Sequence, residues 1–168
     1  AAKAMTISTF HSFGARILRK HGSNIGISAH FSIISDTERI STIKSIMRSG
    51  GTRLKNEDPI DLGSQISLAK NASLSPEEYL EKNPDNRKAQ RVYASYRTIL
   101  HKRQSVDFDD LLLLPLQIFR KFPQVLEDYR KQYTFISIDE FQDTNAVQMQ
   151  LCNLLAAPKN NLLVVGDD

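Results

Sequence analysis

Residues 134–168 read TFISIDEFQDTNAVQMQLCNLLAAPKNNLLVVGDD, and this stretch decides the fold. β-branched and aromatic residues fill 134–138, and a second apolar run fills 161–165. Between these runs, apolar residues recur at helical spacing from Val147 to Leu155. A strand, a long helix and a second strand, in that order, predict a crossover connection between two parallel strands.

Each of the two predicted strands ends at a pair of carboxylates. Asp139 and Glu140 follow the first strand, and Asp167 and Asp168 follow the second. Because ligands of open parallel sheets bind beyond the carboxyl ends of the strands, we expect all four acids at one edge. In a nucleoside triphosphatase, one such carboxylate holds Mg²⁺ on the phosphates and the next deprotonates the attacking water. The alternative is that these acids only cap the following helix and cover the surface.

The rest of the chain predicts an α/β protein with a mainly helical insertion. Residues 4–8 are β-prone, and we expect them to join 134–138 and 161–165 in one parallel sheet formed by the two ends of the chain. Helical spacing dominates the middle of the sequence. The predicted parts are an N-terminal α/β segment (1–35), a helical insertion subdomain (36–131) and a C-terminal α/β segment (132–168).

Composition and charge narrow the class of protein. The longest apolar run, LLLLPLQIF from Leu111, is too short for a membrane helix, and the single cysteine, Cys152, fits a reducing compartment. We therefore expect a cytoplasmic protein without a membrane partner. The net charge is +3, but residues 1–35 and 85–105 are basic, whereas 106–143 carries eight acids and four bases. This pattern favours a polyanionic partner and a separate acidic site, with merely solvated faces as the alternative.

Four short motifs carry a resemblance to a known family. They are TFHS near the N-terminus, VDFDDLLLLP in the middle, and IDEFQDTN and VVGDD near the C-terminus, and they occur in this order along the chain. Together they resemble the UvrD/Rep/PcrA family of superfamily 1 DNA helicases, and the Rep-like members most. The resemblance implies a partial RecA-like sheet and an ATP-dependent helicase that moves 3′→5′ on single-stranded DNA in replication or repair.

The resemblance also implies roles for the acidic strand ends. Asp139 would be the magnesium-linked acid of a Walker B motif, and Glu140 would be the catalytic base. Gln142 would belong to the site that couples nucleotide to DNA. Gly166 and Asp167 would open the next motif of the nucleotide site. ATP and Mg²⁺ are therefore the implied ligands of the whole helicase.

A DNA contact is expected near the N-terminus. The resemblance implies that Thr9 and His11 touch the backbone of single-stranded DNA. Both residues lie where a strand is predicted to meet a helix N-terminus, which is a natural phosphate site, and Arg16 and Lys20 follow in an acid-free segment. Ordinary helix capping or packing is the alternative for His11. The DFDDLL segment at 107–112 receives no role beyond a capped helix.

One expected motif is missing from the sequence. None of the glycines belongs to a G-x-x-x-x-G-K-[ST] loop, which cradles phosphates in such motors. We therefore expect the chain to be a fragment of a larger helicase that does not hydrolyse ATP or bind it tightly on its own. Its partners would be single-stranded DNA, duplex junctions and the second motor domain of the parent, with self-association through an open sheet edge. The alternative function is a non-catalytic single-stranded DNA-binding or partner-docking module on a degenerate motor scaffold.

Overall fold

The computed structural model describes residues 5–49 and 58–167, and these residues form a mainly helical molecule. The helices are α1 (Phe10–His21), α2 (Asp36–Ser49), α3 (Pro59–Asn71), α4 (Pro76–Lys82), α5 (Arg87–Lys102), α6 (Asp110–Lys121), α7 (Pro123–Gln132) and α8 (Ala146–Ala156). The strands are β1 (Ser32–Ile33), β2 (Ser105–Val106), β3 (Ile136–Ile138) and β4 (Leu162–Val164). Short 3₁₀ turns cover Gly22–Ile25 and Phe141–Asp143.

The predicted strand–helix–strand unit is confirmed. β3 and β4 pair in parallel, with Ile136 opposite Leu162 and Ile138 opposite Val164, and α8 makes the crossover between them. Asn145 starts α8 with a capping box, in which its side chain accepts from the backbone N–H of Gln148 and the Gln148 side chain accepts from the backbone N–H of Asn145. Both strands therefore end at the same edge of the sheet.

The prediction of one sheet built from both ends of the chain is wrong. Residue 4 lies outside the described residues, and residues 5–8 form no strand. Met5 and Ile7 are each 81% exposed, so the β-prone side chains have nothing to pack against. A β-prone sequence becomes a strand only where a neighbouring strand takes up its backbone hydrogen bonds, and this segment instead leads directly into α1. The described residues contain two separate two-stranded sheets, β1–β2 and β3–β4, and no RecA-like sheet.

The helical middle of the chain is confirmed in its general character. Helices α2 to α7 occupy most of 36–131, although the two-residue strand β2 was not predicted, and 50–57 lie outside the described residues. The bounds of the three predicted parts stay a prediction.

Buried apolar side chains form two clusters. The first, here called the α1–α8 core, joins α1, α6, α7 and α8 around residues such as Ile17, Leu116, Phe119 and Leu151. The second, the α2–α5 core, joins the four helices α2 to α5 around residues such as Ile43, Leu62, Tyr93 and Tyr96. The buried apolar side chains of α6 and α7 thus belong to the core formed with the two ends of the chain, not to the α2–α5 core.

Gly14 brings α1 against α6. A Cβ atom at Gly14 would lie 1.8 Å from the backbone oxygen of Leu111, so only glycine fits there. Pro115 lies inside α6 and has no N–H to donate to that oxygen, four residues earlier in the helix. The α1 backbone therefore packs directly on a carbonyl that Pro115 leaves free within α6.

None of the helices among the described residues combines the length and the apolarity that crossing a bilayer requires.

Candidate functional site

The carboxyl ends of β3 and β4 bring the predicted acids together. Pairing of the strands continues past their ends, because the backbone N–H of Val165 donates to Ile138 O at 2.8 Å and that of Phe141 donates to Val165 O at 2.9 Å. Asp139 and Glu140 therefore lie beside Gly166 and Asp167 at one edge. Asp168 lies outside the described residues.

Glu140 has an unusual backbone conformation. Its φ of 53° and ψ of 45° lie in the left-handed region, which costs a residue other than glycine about 1 kcal/mol or more. The Asp139 Oδ1 atom accepts from the backbone N–H of Glu140 at 3.1 Å, and the Glu140 Oε2 atom accepts from Gln142 Nε2 at 2.6 Å. The tight turn directs the chain from β3 into the Phe141–Asp143 turn and holds both carboxylates at the solvent-exposed sheet edge.

Gln142 bridges the ends of the two strands. Its Nε2 donates to the Glu140 carboxylate, while its Oε1 accepts from the backbone N–H of Asp167 at 3.2 Å. A Cβ atom at Gly166 would lie only 2.5 Å from that Oε1, so glycine is what allows the close approach. We refer to the Gln142 side chain with these two contacts as the Gln142 bridge.

The chemistry of this edge fits a magnesium ion shared with phosphates. Within residues 5–49 and 58–167, no group of three or more His, Cys, Asp or Glu side chains could enclose a metal ion. Mg²⁺ at phosphate sites takes one or two carboxylates and fills its other positions with water and phosphate oxygens. The exposed pair Asp139 and Glu140 offers that kind of incomplete ligand set.

Thr9 caps helix α1. Its Oγ1 accepts from the backbone N–H of Ser12 at 3.2 Å and donates to Ser12 Oγ at 3.0 Å. Thr9 therefore caps α1, a role that was not predicted for it, and it marks an exposed helix N-terminus.

His11 stacks on an exposed aromatic ring. Its imidazole lies 3.9 Å from the Phe108 ring, with an angle of 24° between the planes, and Phe108 is 59% exposed. Partial burial lowers the pKa of His11, and the neighbouring Asp109 carboxylate opposes this shift without cancelling it. The imidazole is therefore mainly neutral at pH 7.

Arg16 and Lys20 lie on the exposed side of α1. Arg16 Nη2 donates to Ser8 Oγ at 2.8 Å, and its guanidinium lies 5.9 Å from the Phe13 ring centre. The Lys20 ammonium lies 5.9 Å from the ring centre of Tyr129. Both side chains are exposed, so their positive charges are accessible to a phosphate.

A buried ionic cluster around Lys70 was not predicted from the sequence. The Lys70 ammonium lies 2.7 Å from Asp107 Oδ2 and 2.7 Å from Asp110 Oδ1, and the Tyr96 hydroxyl donates to Asp107 Oδ2 at 2.9 Å. The two aspartates come from the DFDDLL segment, where a helix cap was the expected role. Asp107 does cap, since its Oδ1 accepts from the backbone N–H of Asp110 at 2.9 Å, but the ion pairs with Lys70 could not be read from sequence.

Burial and charge act in opposite directions in this cluster. Burial alone would lower the pKa of Lys70, but the two carboxylates outweigh it and raise that pKa. Burial would raise the pKa of Asp107, but Lys70 outweighs it and lowers that pKa. Because one ammonium serves two carboxylates, burial and the Asp107 charge raise the pKa of Asp110 to about 7.

Phe108 and Asn71 were also missed at the sequence level. A single phenylalanine among aspartates in DFDD is a signal that an aromatic ring is held at the surface, but nothing in the sequence links it to His11. Asn71 is an ordinary polar residue at the end of a helix, and the sequence carries no sign of its contacts.

Comparison with known proteins agrees with the motifs. Residues 1–168 match the family described as the UvrD/REP helicase N-terminal domain. The chain is 41% identical over 163 residues (96% of the chain) to the ATP-dependent DNA helicase PcrA of Bacillus subtilis. It is 38% identical to the protein of the same name from Leuconostoc citreum and 36% identical to that of Staphylococcus aureus, each over 168 residues (99% of the chain). It spans 22%, 22% and 23% of the lengths of these three relatives, respectively.

Proposed function

Because the chain belongs to the UvrD/REP helicase N-terminal domain family, we propose that it forms part of an ATP-dependent DNA helicase. This helicase moves 3′→5′ on single-stranded DNA in the cytoplasm and unwinds duplex junctions in replication or repair. The observation that carries the proposal is the Gln142 bridge, because it joins the Glu140 carboxylate to the backbone of Asp167 at a strand edge suited to phosphates.

The carboxylates at this edge divide the chemistry between them. Asp139 would hold Mg²⁺, and the ion would supply positive charge to the phosphates of bound ATP. The Glu140 carboxylate accepts the proton of the attacking water, and the left-handed turn keeps it clear of the sheet. Gln142 and Asp167 contact the bound nucleotide. Because the Gln142 amide bonds both the backbone of Asp167 and the Glu140 carboxylate, a displacement of Asp167 also displaces Glu140.

The N-terminal residues bind the DNA backbone. Thr9 and His11 offer hydrogen-bonding groups at the exposed start of α1, and Arg16 and Lys20 add positive charge along the helix. Such contacts are independent of sequence and weaken with salt.

The isolated 168-residue chain does not hydrolyse ATP in this proposal. Its sequence has no G-x-x-x-x-G-K-[ST] loop to hold the phosphates, and a second motor domain of the same protein completes the site. Phe135 and Leu163 expose 81% and 61% of their surface next to the β3–β4 sheet, which supports further packing there or self-association of the isolated chain.

The substitution Glu140→Gln in the full-length helicase tests the proposal. Turnover should fall by about 10²–10⁴, the usual contribution of a general base, while ATP still binds. Glu81→Gln, an exposed substitution of the same kind on α4, is the control and should leave turnover unchanged. Normal turnover in Glu140→Gln would remove Glu140 from the mechanism. A wild-type protein that binds single-stranded DNA without hydrolysing ATP would favour the non-catalytic alternative.

A further inference from the structure

Asn71 joins three separate elements through one side chain. It is the last residue of α3 and is half-buried. Its Nδ2 donates to Asp109 Oδ1 at 3.0 Å, immediately before α6, and its Oδ1 accepts from Asn145 Nδ2 at 2.7 Å, at the start of α8. A carboxamide can do both at once, because its NH₂ group donates while its oxygen accepts.

Each partner of Asn71 adjoins one of the two proposed ligand sites. Asn145 caps α8 directly after the turn that contains Glu140 and Gln142. Asp109 follows Phe108, whose exposed ring stacks on His11. One path of side-chain contacts from His11 to the acidic turn therefore passes through the Asn71 carboxamide.

Further polar contacts hold α3 against the segment before α6 and against α8. A displacement of Asp109 on one side of Asn71 therefore acts on Asn145 on the other side. The adjacent Lys70 fixes α3 to Asp107 and Asp110 at 2.7 Å, in a fully buried position. On the other side Ser73 Oγ lies 3.5 Å from Gln150 Oε1 of α8. Packed elements with fixed polar contacts transmit displacement rather than absorb it.

We propose that Asn71 is a positioning residue that couples single-stranded DNA at the His11–Phe108 surface to ATP hydrolysis at Glu140. The inference rests on the proposed helicase function and adds a named side chain that carries the stimulation of hydrolysis by DNA. DNA that moves the Phe108 segment shifts Asp109, Asn71 and Asn145 together. The start of α8, and with it the turn that carries Glu140, then takes its active position.

The test measures ATP hydrolysis by the full-length helicase with and without single-stranded DNA. In Asn71→Ala, the ratio of DNA-stimulated to basal turnover should fall about five- to tenfold, the scale of one or two lost hydrogen bonds. Basal turnover and the dissociation constant for a labelled oligonucleotide should stay within about twofold of wild type. A merely structural defect would instead lower basal and stimulated turnover together.

Asn145→Ser gives an independent route to the same result. Serine keeps an oxygen that caps α8 but is too short to reach Asn71. Asn145→Ser should lower the ratio of DNA-stimulated to basal turnover about as much as Asn71→Ala does. The double variant should have the same ratio as either single variant, because each substitution removes the Asn71–Asn145 hydrogen bond. If Asn71→Ala fails to fold, the ratio measured for Asn145→Ser alone tests the proposal, and a wild-type ratio in that variant would overturn it.

Asn86→Ala is the matched control. Asn86 is also a half-buried asparagine, and it bonds Gln65 Oε1 at 2.6 Å and the Tyr79 hydroxyl at 2.9 Å, within the α2–α5 core. Its loss should lower thermal stability while leaving the ratio unchanged. Folded Asn71→Ala with a wild-type ratio, or Asn86→Ala with an equal loss of ratio, would overturn the coupling role while leaving the helicase function intact. Absence of DNA-stimulated hydrolysis in the wild type would instead refute the proposed function itself.

Discussion

Replacing Lys70 with methionine leaves two buried carboxylates without their cation. Lys70 is 2% exposed, and its ammonium contacts Asp107 and Asp110 at 2.7 Å each. Methionine fills a similar volume but neutralises neither acid. Removing one partner of a buried ion pair costs about 3–5 kcal/mol, because the remaining charge stays desolvated. We expect Lys70→Met to lower the free energy of unfolding by about that amount at pH 7.5.

Acid should restore part of this loss. Without Lys70, we expect burial to raise the folded-state pKa values of both carboxyls above those of the unfolded chain, so the folded variant should hold extra protons. A raised carboxyl pKa gives stability that is present at low pH and is lost as pH rises through the folded pKa. The gap between variant and wild type should therefore shrink on acidification by about 1.4 kcal/mol per pH unit for each proton that the folded variant holds beyond those held by the folded wild type. In the wild type, Asp110 is the one of these two carboxyls with a raised pKa. Because that pKa is about 7, the stability that protonated Asp110 contributes is lost between about pH 4 and 7.

Urea denaturation followed by far-ultraviolet circular dichroism measures the effect, because urea, unlike guanidinium chloride, does not screen charges. Curves at pH 5, 6, 7 and 8 give the unfolding free energy of each variant. Lys44→Met is the control, since Lys44 is an exposed lysine of α2 and its loss should change stability by less than about 0.5 kcal/mol. Equal stability of Lys70→Met and wild type at pH 8, or a gap that does not shrink on acidification, would refute the reasoning.

Two further predictions follow from α1. Gly14→Ala should destabilise the chain by about 1–3 kcal/mol, since its Cβ would meet Leu111 O at 1.8 Å and α1 must shift away from α6, and urea denaturation would detect this. If about three phosphates are neutralised, the logarithm of the affinity for single-stranded DNA should fall against the logarithm of salt with a slope of about −2, and Arg16→Ala or Lys20→Ala should each flatten it by about 0.7. Titration of a labelled oligonucleotide at several salt concentrations would measure the slopes, and unchanged slopes would place the phosphate contacts elsewhere.

The sequence could predict elements whose signals are local. The strands at 136–138 and 162–164 and the helix between them follow from periodicity, and their parallel pairing follows from the length of the connection. The same logic brought Asp139, Glu140 and Asp167 to one edge. The strand predicted at 4–8 failed because a strand also needs a neighbour, which no local pattern can supply.

The missed residues depend on contacts between distant parts of the chain. Lys70 and Asp107 are 37 positions apart, and Asn71 and Asn145 are 74 positions apart. Lysine is rarely buried, so a lysine in a helix is expected to face solvent. The acids of DFDDLL have a sufficient local explanation as caps, which hides their second role.

The Lys70 cluster lies between the two apolar cores, and this position gives a reason for burying its charges. α3 packs in the α2–α5 core, whereas the helix that begins at Asp110 packs in the α1–α8 core. Apolar contact is non-directional, so it would let one core slide on the other. Two ion pairs and the Tyr96 hydrogen bond have fixed geometry and are satisfied in one arrangement only. A role in fixing register is the best supported use of buried charge. It also explains why Asn71, the next residue along α3, can hold both Asp109 and Asn145 at hydrogen-bonding distance.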